Sequence, residues 1–464
     1  MKAVTQWVSL LLFLSLISNA LCINTPSISL TRRRLQQHHH PRKNTTLKST
    51  FKQPNLCDPT VVQYSGYIQV DTNEHYFFWF FESRNKPAED PLLMWLNGGP
   101  GCSSMTGLFE EIGPCGVNSD ATQDIYNEVG SWNKVANLLF LDQPVGAGFS
   151  YGDNKVNSTE KAKLRAYRFL QRFFEALPQY QNLPFHLFGE SFAGHFVPAF
   201  ANYFLEMNQA SDQNPDHIHI NLASIGIGNG ITDVLSQVQY AENMACYSSY
   251  GPVLDEKDCH EMRNNTPTCV KLLQECNDTG AVADCNKATT YCSKNVENIY
   301  LRSGRNVYDI RANKTDKAGT KYNRYLNSRP VRKLIGAKTP FHRCPSEIRR
   351  TFYNNGDYPK NYAPAVANLL NNGVRVLLYA GDADYRANWY GVHGWAQTFD
   401  FNGSEEYRTQ ILNPWMIDGQ EMGQIQTASN LTFIRMYQAG HKAPYYQPKA
   451  SLQMFANHIN QAST

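Results

Sequence analysis

Short, mostly apolar runs rich in aromatic and β-branched residues punctuate this chain at 76–81, 92–96, 138–141, 225–228, 374–379 and 431–436. A strand with one wet face alternates apolar and polar residues, whereas a strand apolar at every position must be covered on both faces. Between two of these runs lies an amphipathic helical pattern. Thr159 is a plausible N-cap, Leu164, Tyr167, Leu170, Phe174 and Leu177 recur at three- and four-residue steps, and Pro178 ends the run. Buried strands alternating with helices predict an α/β fold, with a mostly parallel central sheet and helices on both faces. The pattern breaks after Asp233. Residues 234–350 are polar, cysteine-rich and weakly stranded, and the strand signal returns at Val374. The expected organisation is a first core part at 55–233, a cap insertion at 234–350 that shapes a cleft, and a second core part at 351–464. No internal repeat is visible.

The first fifty residues belong to a different class. Lys2, the apolar stretch 8–17 and the small residues Ser18-Asn19-Ala20 read as a secretory signal over 1–20. Residues 21–54 are polar and basic and read as a leader or propeptide. Arg32-Arg33-Arg34 and His38-His39-His40 fall inside it and read as incidental. A secretory route leads to a vacuole- or lysosome-like compartment or outside the cell. Seven N-x-S/T sequons fit that route, at Asn44, Asn157, Asn264, Asn277, Asn313, Asn402 and Asn430.

Of eleven cysteines, six fall between Cys246 and Cys292. In an oxidising compartment they read as a disulfide framework, and the lack of a C-x-x-C repeat disfavours zinc. Spacing leaves the pairing open, since six cysteines allow 15 connectivities. Cys22 sits at the leader boundary. The net charge of +3, with no lysine-rich tail and no arginine array, gives no reason to expect a nucleic-acid partner. No later segment has 18 unbroken apolar residues, so no membrane partner is expected after signal removal. No metal or other cofactor is expected, and the oligomeric state stays open.

The chemistry concentrates in 189–194, Gly-Glu-Ser-Phe-Ala-Gly, between the apolar run 184–188 and the helix-like run 195–200. Strand, sharp turn and helix are the setting in which a serine becomes an exposed nucleophile. Gly189, Ala193 and Gly194 are small because the backbones come close there. A serine hydroxyl needs a base, and the base needs an orienting carboxylate. Two aspartates, Asp382 and Asp384, follow the strand at 374–379, and His441 follows the last strand. Spacing does not choose between the aspartates. The glycine loop 95–104 can supply backbone N–H donors for an oxyanion.

Four motifs narrow this further: W-L-N-G-G-P-G-C-S-S at 95–104, G-E-S-F-A-G at 189–194, G-D-A-D-Y-R-A-N-W-Y-G at 381–391 and G-H-K-A-P at 440–444. In kind and order they resemble the serine carboxypeptidase family of acid exopeptidases, over about 55–460. The resemblance implies an α/β-hydrolase fold and cleavage of C-terminal residues from peptides and proteins through an acyl-enzyme. It implies the triad Ser191, Asp384 and His441, leaving Asp382 to bond the turn's backbone. It implies an oxyanion hole at the N–H groups of Gly99 and Phe192, and a substrate-carboxylate site of Asn97, the Gly98 N–H, Glu111 and Glu190. Clustered carboxyls repel one another, so at least one should hold a proton and the site should favour acid. The resemblance further implies disulfides 246–259, 269–292, 276–285 and 102–344; Cys57 and Cys115 then pair by elimination. Glu110 and Lys442 stand where relatives carry phenylalanine and methionine, in the pocket for the leaving residue. That pocket is therefore expected to be mixed in charge. An acyltransferase on the same scaffold and a non-catalytic secreted protective protein are the rival readings. The complete carboxylate-binding set favours the peptidase over the first, and the intact triad argues against the second.

Overall fold

The apolar runs form the centre of one twisted sheet, and the reason lies in which way their side chains point. In 76–81, Tyr76, Phe78 and Phe80 enter one hydrophobic core while Phe77, Trp79 and Phe81 enter the other. Leu92, Met94 and Leu96 oppose Leu93 and Trp95 in the same way. Each run is apolar throughout because it separates two cores. In this computed structural model the described residues are 51–153, 156–211, 217–314 and 320–460. They belong to one compact unit, Leu47–Thr464. The signal 1–20, nearly all of the leader, Cys22 and Asn44 lie outside the described residues.

The strands are β1 (Gln63–Asp71), β2 (Glu74–Phe81), β3 (Leu92–Asn97), β4 (Asn137–Leu141), β5 (Phe185–Glu190), β6 (Leu222–Gly228), β7 (Arg375–Gly381), β8 (Asn413–Ile417), β9 (Gln420–Ala428) and β10 (Leu431–Met436). Their spatial order is β1-β2-β4-β3-β5-β6-β7-β10-β9-β8, and the short strand Tyr151–Gly152 flanks β2. The six strands from β4 to β10 are parallel neighbours, and antiparallel pairs close both edges. This is the arrangement of an α/β-hydrolase, and the carboxyl ends of the parallel strands open on one side of the sheet.

The helix Thr159–Ala176 follows the amphipathic pattern, but its cap is Ser158, whose hydroxyl accepts from Lys161 N. Thr159 is the first helical residue, and its hydroxyl donates to buried Asp357 at 2.7 Å. Two segment boundaries also move. Lys52 bridges to Ser65 of β1, so the end of the expected leader joins the fold. Residue 350, the expected end of the cap insertion, falls inside the helix Ser346–Asn354.

The cap segment is helical rather than featureless. Glu256–Thr279 and Val282–Asn295 form a helical hairpin that turns at Gly280, φ 62°. Cys269 and Cys276 lie seven residues apart, as do Cys285 and Cys292, so each pair shares one helix face two turns apart. The faces meet in bridges Cys269–Cys292 and Cys276–Cys285, and Cys246–Cys259 ties the preceding helix to the hairpin. Cys102–Cys344 and Cys57–Cys115 complete five disulfides. Of the described sequons, Asn264, Asn313 and Asn402 are exposed, and Asn157, Asn277 and Asn430 are half-buried.

Candidate active site

Strand register assembles the site. Asn97 at the end of β3 pairs with Glu190 at the end of β5, and Glu190 pairs with Gly228 at the end of β6. Ser191 comes next, at φ 65°. A serine in the left-handed region is strained and needs its surroundings to hold it. Its N donates to Gly228 O at 3.0 Å, and its O accepts from Gly194 N and Ile231 N, both at 2.9 Å. Two glycines make this turn possible. A Cβ on Gly194 would lie 2.5 Å from Ile231 O, and one on Gly98 would lie 2.3 Å from Phe192 N. The glycine loop therefore runs directly against the turn that carries Ser191. Among the described residues, the N–H groups of Gly98, Gly99 and Phe192 donate to no protein acceptor.

Asp384 is fully buried beyond the end of β7, and His441 lies beyond β10. His441 Nδ1 is 2.7 Å from Asp384 Oδ2. The same Oδ2 accepts from Asn229 Nδ2 and Ala387 N, both at 3.0 Å, and Oδ1 accepts from Arg386 N at 3.0 Å. Asn229 also accepts from Gly381 N at 2.9 Å through its Oδ1, so one side chain locks the ends of β6 and β7 together. His441 N donates to Tyr308 O at 2.8 Å, and the Tyr308 ring lies over the imidazole at 4.9 Å. The other aspartate bonds backbone, though at Ala439 rather than within its own turn, and it has two further side-chain partners. Asp382 accepts from the Tyr250 hydroxyl at 2.6 Å and faces Arg435 at 3.5 Å, so it anchors the cap to β10.

Asn97, Glu111 and Glu190 are all buried. Asn97 Oδ1 accepts from Trp95 Nε1 at 2.9 Å and Gly107 N at 2.8 Å, which fixes its amide so that Nδ2 donates to Glu111 Oε1 at 3.0 Å. Oε2 of Glu111 and Oε2 of Glu190 accept from no donor among the described residues, and the two carboxyls lie close enough to hydrogen-bond each other through a shared proton. Burial, and then the adjacent Glu111 carboxyl, push Glu190 well above the ordinary carboxylate range; Lys442 offsets this only partly. Glu110 and Lys442 form an ion pair at the edge of this cluster, each mostly shielded from solvent. Burial alone would lower the Lys442 ammonium, but Glu110, Glu111 and Glu190 outweigh it and raise it.

Beside Tyr358, whose ring stacks on Phe192, lies a recess of about 40 Å³ whose lining includes Ile231, Glu297, Tyr358, Arg386 and Ala387. Arg386 and Glu297 pair there at 3.1 Å, and Tyr358 donates to Glu297 at 3.3 Å. The structure thus gathers Asn97, Gly98, Gly99, Glu110, Glu111, Glu190, Ser191, Phe192, Asp384, His441 and Lys442 at one end of the sheet. Sequence reasoning missed Asn229, Glu297 and Arg386. The run Gly228-Asn229-Gly230 directly after a strand was the available signal for the first.

A parallel sheet with a strained serine after its central strand and an aspartate–imidazole contact beyond later strands defines an α/β-hydrolase. Its fold aligns with the crystal structure of Kex1, a prohormone-processing carboxypeptidase from Saccharomyces cerevisiae, at a TM-score of 0.76 and 24% identity, over 88% of this chain and 94% of that one. Residues 54–461 match the serine carboxypeptidase family. The chain is 42% identical over 413 residues to the vacuolar serine-type carboxypeptidase ATG42 of S. cerevisiae, covering 86% of this chain and 80% of that one. It is 42% identical over 412 residues to carboxypeptidase Y homolog A of Aspergillus fumigatus, covering 86% and 74%. Against carboxypeptidase Y of Schizosaccharomyces pombe it is 40% identical over 88% of its own length, which is 42% of that longer protein. The chain belongs to the serine carboxypeptidase family and is a serine-type peptidase.

Proposed function

We propose that the protein removes C-terminal residues from peptides and proteins one at a time in mildly acidic solution, with Ser191, His441 and Asp384 as its triad. Asp384 holds the His441 Nδ1–H, which leaves Nε2 to act as base. Ser191 Oγ attacks the scissile carbonyl while Nε2 takes its proton. The N–H groups of Gly99 and Phe192 donate to the oxyanion. The tetrahedral intermediate collapses, the C–N bond breaks, and Nε2 passes its proton to the departing amine. Water then attacks the acyl-enzyme with His441 again as base, which releases the shortened peptide and returns the proton to Ser191.

The observation that carries the exopeptidase reading is the buried Asn97–Glu111–Glu190 cluster in register beside Ser191. A neutral Glu190 can donate to a substrate carboxylate that an ionised one would repel, and among the described residues no protein donor competes for the Oε2 atoms of Glu111 and Glu190. The Gly98 N–H adds a donor. The Glu110–Lys442 pair then borders the side chain of the leaving residue. Among the described residues no helix is long and apolar enough to cross a membrane. The signal-like N-terminus and the vacuolar relative support a vacuole-like destination reached through the secretory pathway.

Replacing Ser191 by Ala should leave the fold intact and lower kcat on a blocked dipeptide by about 10⁴-fold or more. A serine-directed organophosphate should label Ser191 and abolish turnover. Labelling at another serine, or an active Ser191→Ala protein, would contradict the assignment.

A further inference from the structure

The small net charge of the chain conceals a local excess. Residues 321–350 carry nine Lys or Arg and a single acid, Glu347. Three of these arginines, Arg343, Arg349 and Arg350, belong to the segment that borders the cleft. Arg343 O accepts from Ser103 N in the glycine loop at 2.8 Å, and the next residue, Cys344, is bonded to Cys102. Ile348 packs so closely on the same loop that a Cβ on Gly101 would meet it at 2.5 Å. The segment 343–350 is thus a rim fastened to the loop that carries Gly98 and Gly99.

The rim spans from the neighbourhood of Tyr322 to that of Tyr353. Arg343 acts electrostatically on the Tyr322 hydroxyl together with Glu110 and Lys442, at the leaving-residue end. Arg349 acts with Arg386 on the Tyr353 hydroxyl, and Tyr353 stacks on Tyr358 in the lining of the recess. Arg349 and Arg350 are exposed on the helix Ser346–Asn354, which buries Phe352. Inside the cleft the cations are neutralised, Lys442 by Glu110 and Arg386 by Glu297. On the rim they are not. Among the described residues no carboxylate stands within ion-pair distance of Arg343, Arg349 or Arg350. Like charges left unpaired along a cleft repel one another, and they focus the field that draws in an anion.

We propose that this arginine rim captures peptides whose last few residues before the scissile bond include Asp or Glu, and guides them toward Ser191. The proposal rests on the carboxypeptidase reading and adds to it a substrate class. Every substrate of such an enzyme has a terminal carboxylate, so the discriminating charge is the upstream one. An extended chain advances about 3.3 Å per residue, so acids three to five residues from the C-terminus lie roughly 7–14 Å upstream of the scissile bond, the stretch the proposal assigns to the rim.

The test compares blocked hexapeptides that share their last two residues and carry either Glu or Gln at the third to fifth positions from the C-terminus. At about pH 5.5 such Glu side chains are ionised. In roughly 20 mM salt, wild type should favour the Glu series by about five- to tenfold in kcat/KM, and roughly 300 mM salt should bring the ratio below about twofold. The variant carrying Arg349→Gln and Arg350→Gln should lose most of the preference even at low salt yet keep wild-type turnover of a blocked dipeptide. If that variant loses dipeptide cleavage, the wild-type salt comparison decides alone. Equal rates for the two series at low salt, or a preference that survives high salt or the double substitution, overturns the proposal while leaving the carboxypeptidase reading intact. Wild type that cleaves neither the dipeptide nor any hexapeptide overturns that reading instead. Binding of wild type to phosphatidylserine vesicles without any preference between the peptide series would assign the rim to a lipid surface and overturn the proposal.

Discussion

The carboxylate of Asp384 accepts four hydrogen bonds, and only one comes from His441. The others fix the direction in which the imidazole is held, and Asn229 supplies the only one from a side chain. Asn229→Ala removes a donor to Asp384 and leaves Gly381 N without its acceptor, a loss of about 1–3 kcal/mol. The expected result is a fall of about 10- to 100-fold in kcat on a blocked dipeptide, with KM little changed; an unchanged kcat would remove Asn229 from the positioning set. A second prediction concerns the leaving residue. With Glu110 and Lys442 paired, the pocket is close to neutral, so kcat/KM for dipeptides ending in Leu, Glu and Lys should fall within about tenfold of one another. Lys442→Met leaves Glu110 without its cation and should shift preference toward a Lys leaving residue. A strong wild-type preference for Leu that Lys442→Met does not alter would show that neither charge reaches the pocket. At this scale the nucleophile motif and the histidine could be read from the sequence because each sits in a short, distinctive string. Asn229 could not, since an asparagine between glycines after a strand has the composition of an ordinary turn. Asp382 was read as a turn residue because its partners, Tyr250 and Arg435, lie 132 and 53 positions away.

The strands were legible because both their faces are buried, which writes a continuous apolar run into the sequence. The edge strands β8 and β9 were not: β8 is short and opens on exposed Asn413 and Pro414, and exposed Gln420, Glu421 and Thr427 interrupt β9. The cap helices were obscured for a different reason. Their inward face is built largely from cysteines with Met262, Leu272 and Leu273, so the usual apolar stripe is thin. Disulfides take over the task that a larger core would perform. Replacing Cys269 and Cys292 by Ser should lower the stability of the cap by about 2–4 kcal/mol and speed its proteolysis before that of the core. Limited proteolysis with mass mapping reads this directly. Cleavage spread evenly over cap and core would mean that the hairpin does not depend on that bridge.

At the scale of the molecule, function depends on register and on charge placement, and neither shows in a linear reading. Asn97 and Glu190 stand side by side because β3 and β5 pair at that offset; a slip of one residue would turn one of them to the other face of the sheet. The sheet therefore creates the buried acid cluster beside the nucleophile. The pH dependence follows from the sign of the shift. Glu190 is held above the ordinary carboxylate range by burial and by Glu111, so it is neutral in mild acid and ionises as pH rises through its raised value. Neutral, it donates to the substrate carboxylate; ionised, it repels it. The decisive measurement is kcat/KM against pH for one peptide as free acid and as C-terminal amide, in wild type and in Glu190→Gln. The free acid should react far faster than the amide in mild acid and lose that advantage through rising KM as pH increases, and Glu190→Gln should flatten the profile. Equal rates for free acid and amide in mild acid, or an unchanged profile in Glu190→Gln, would contradict the account.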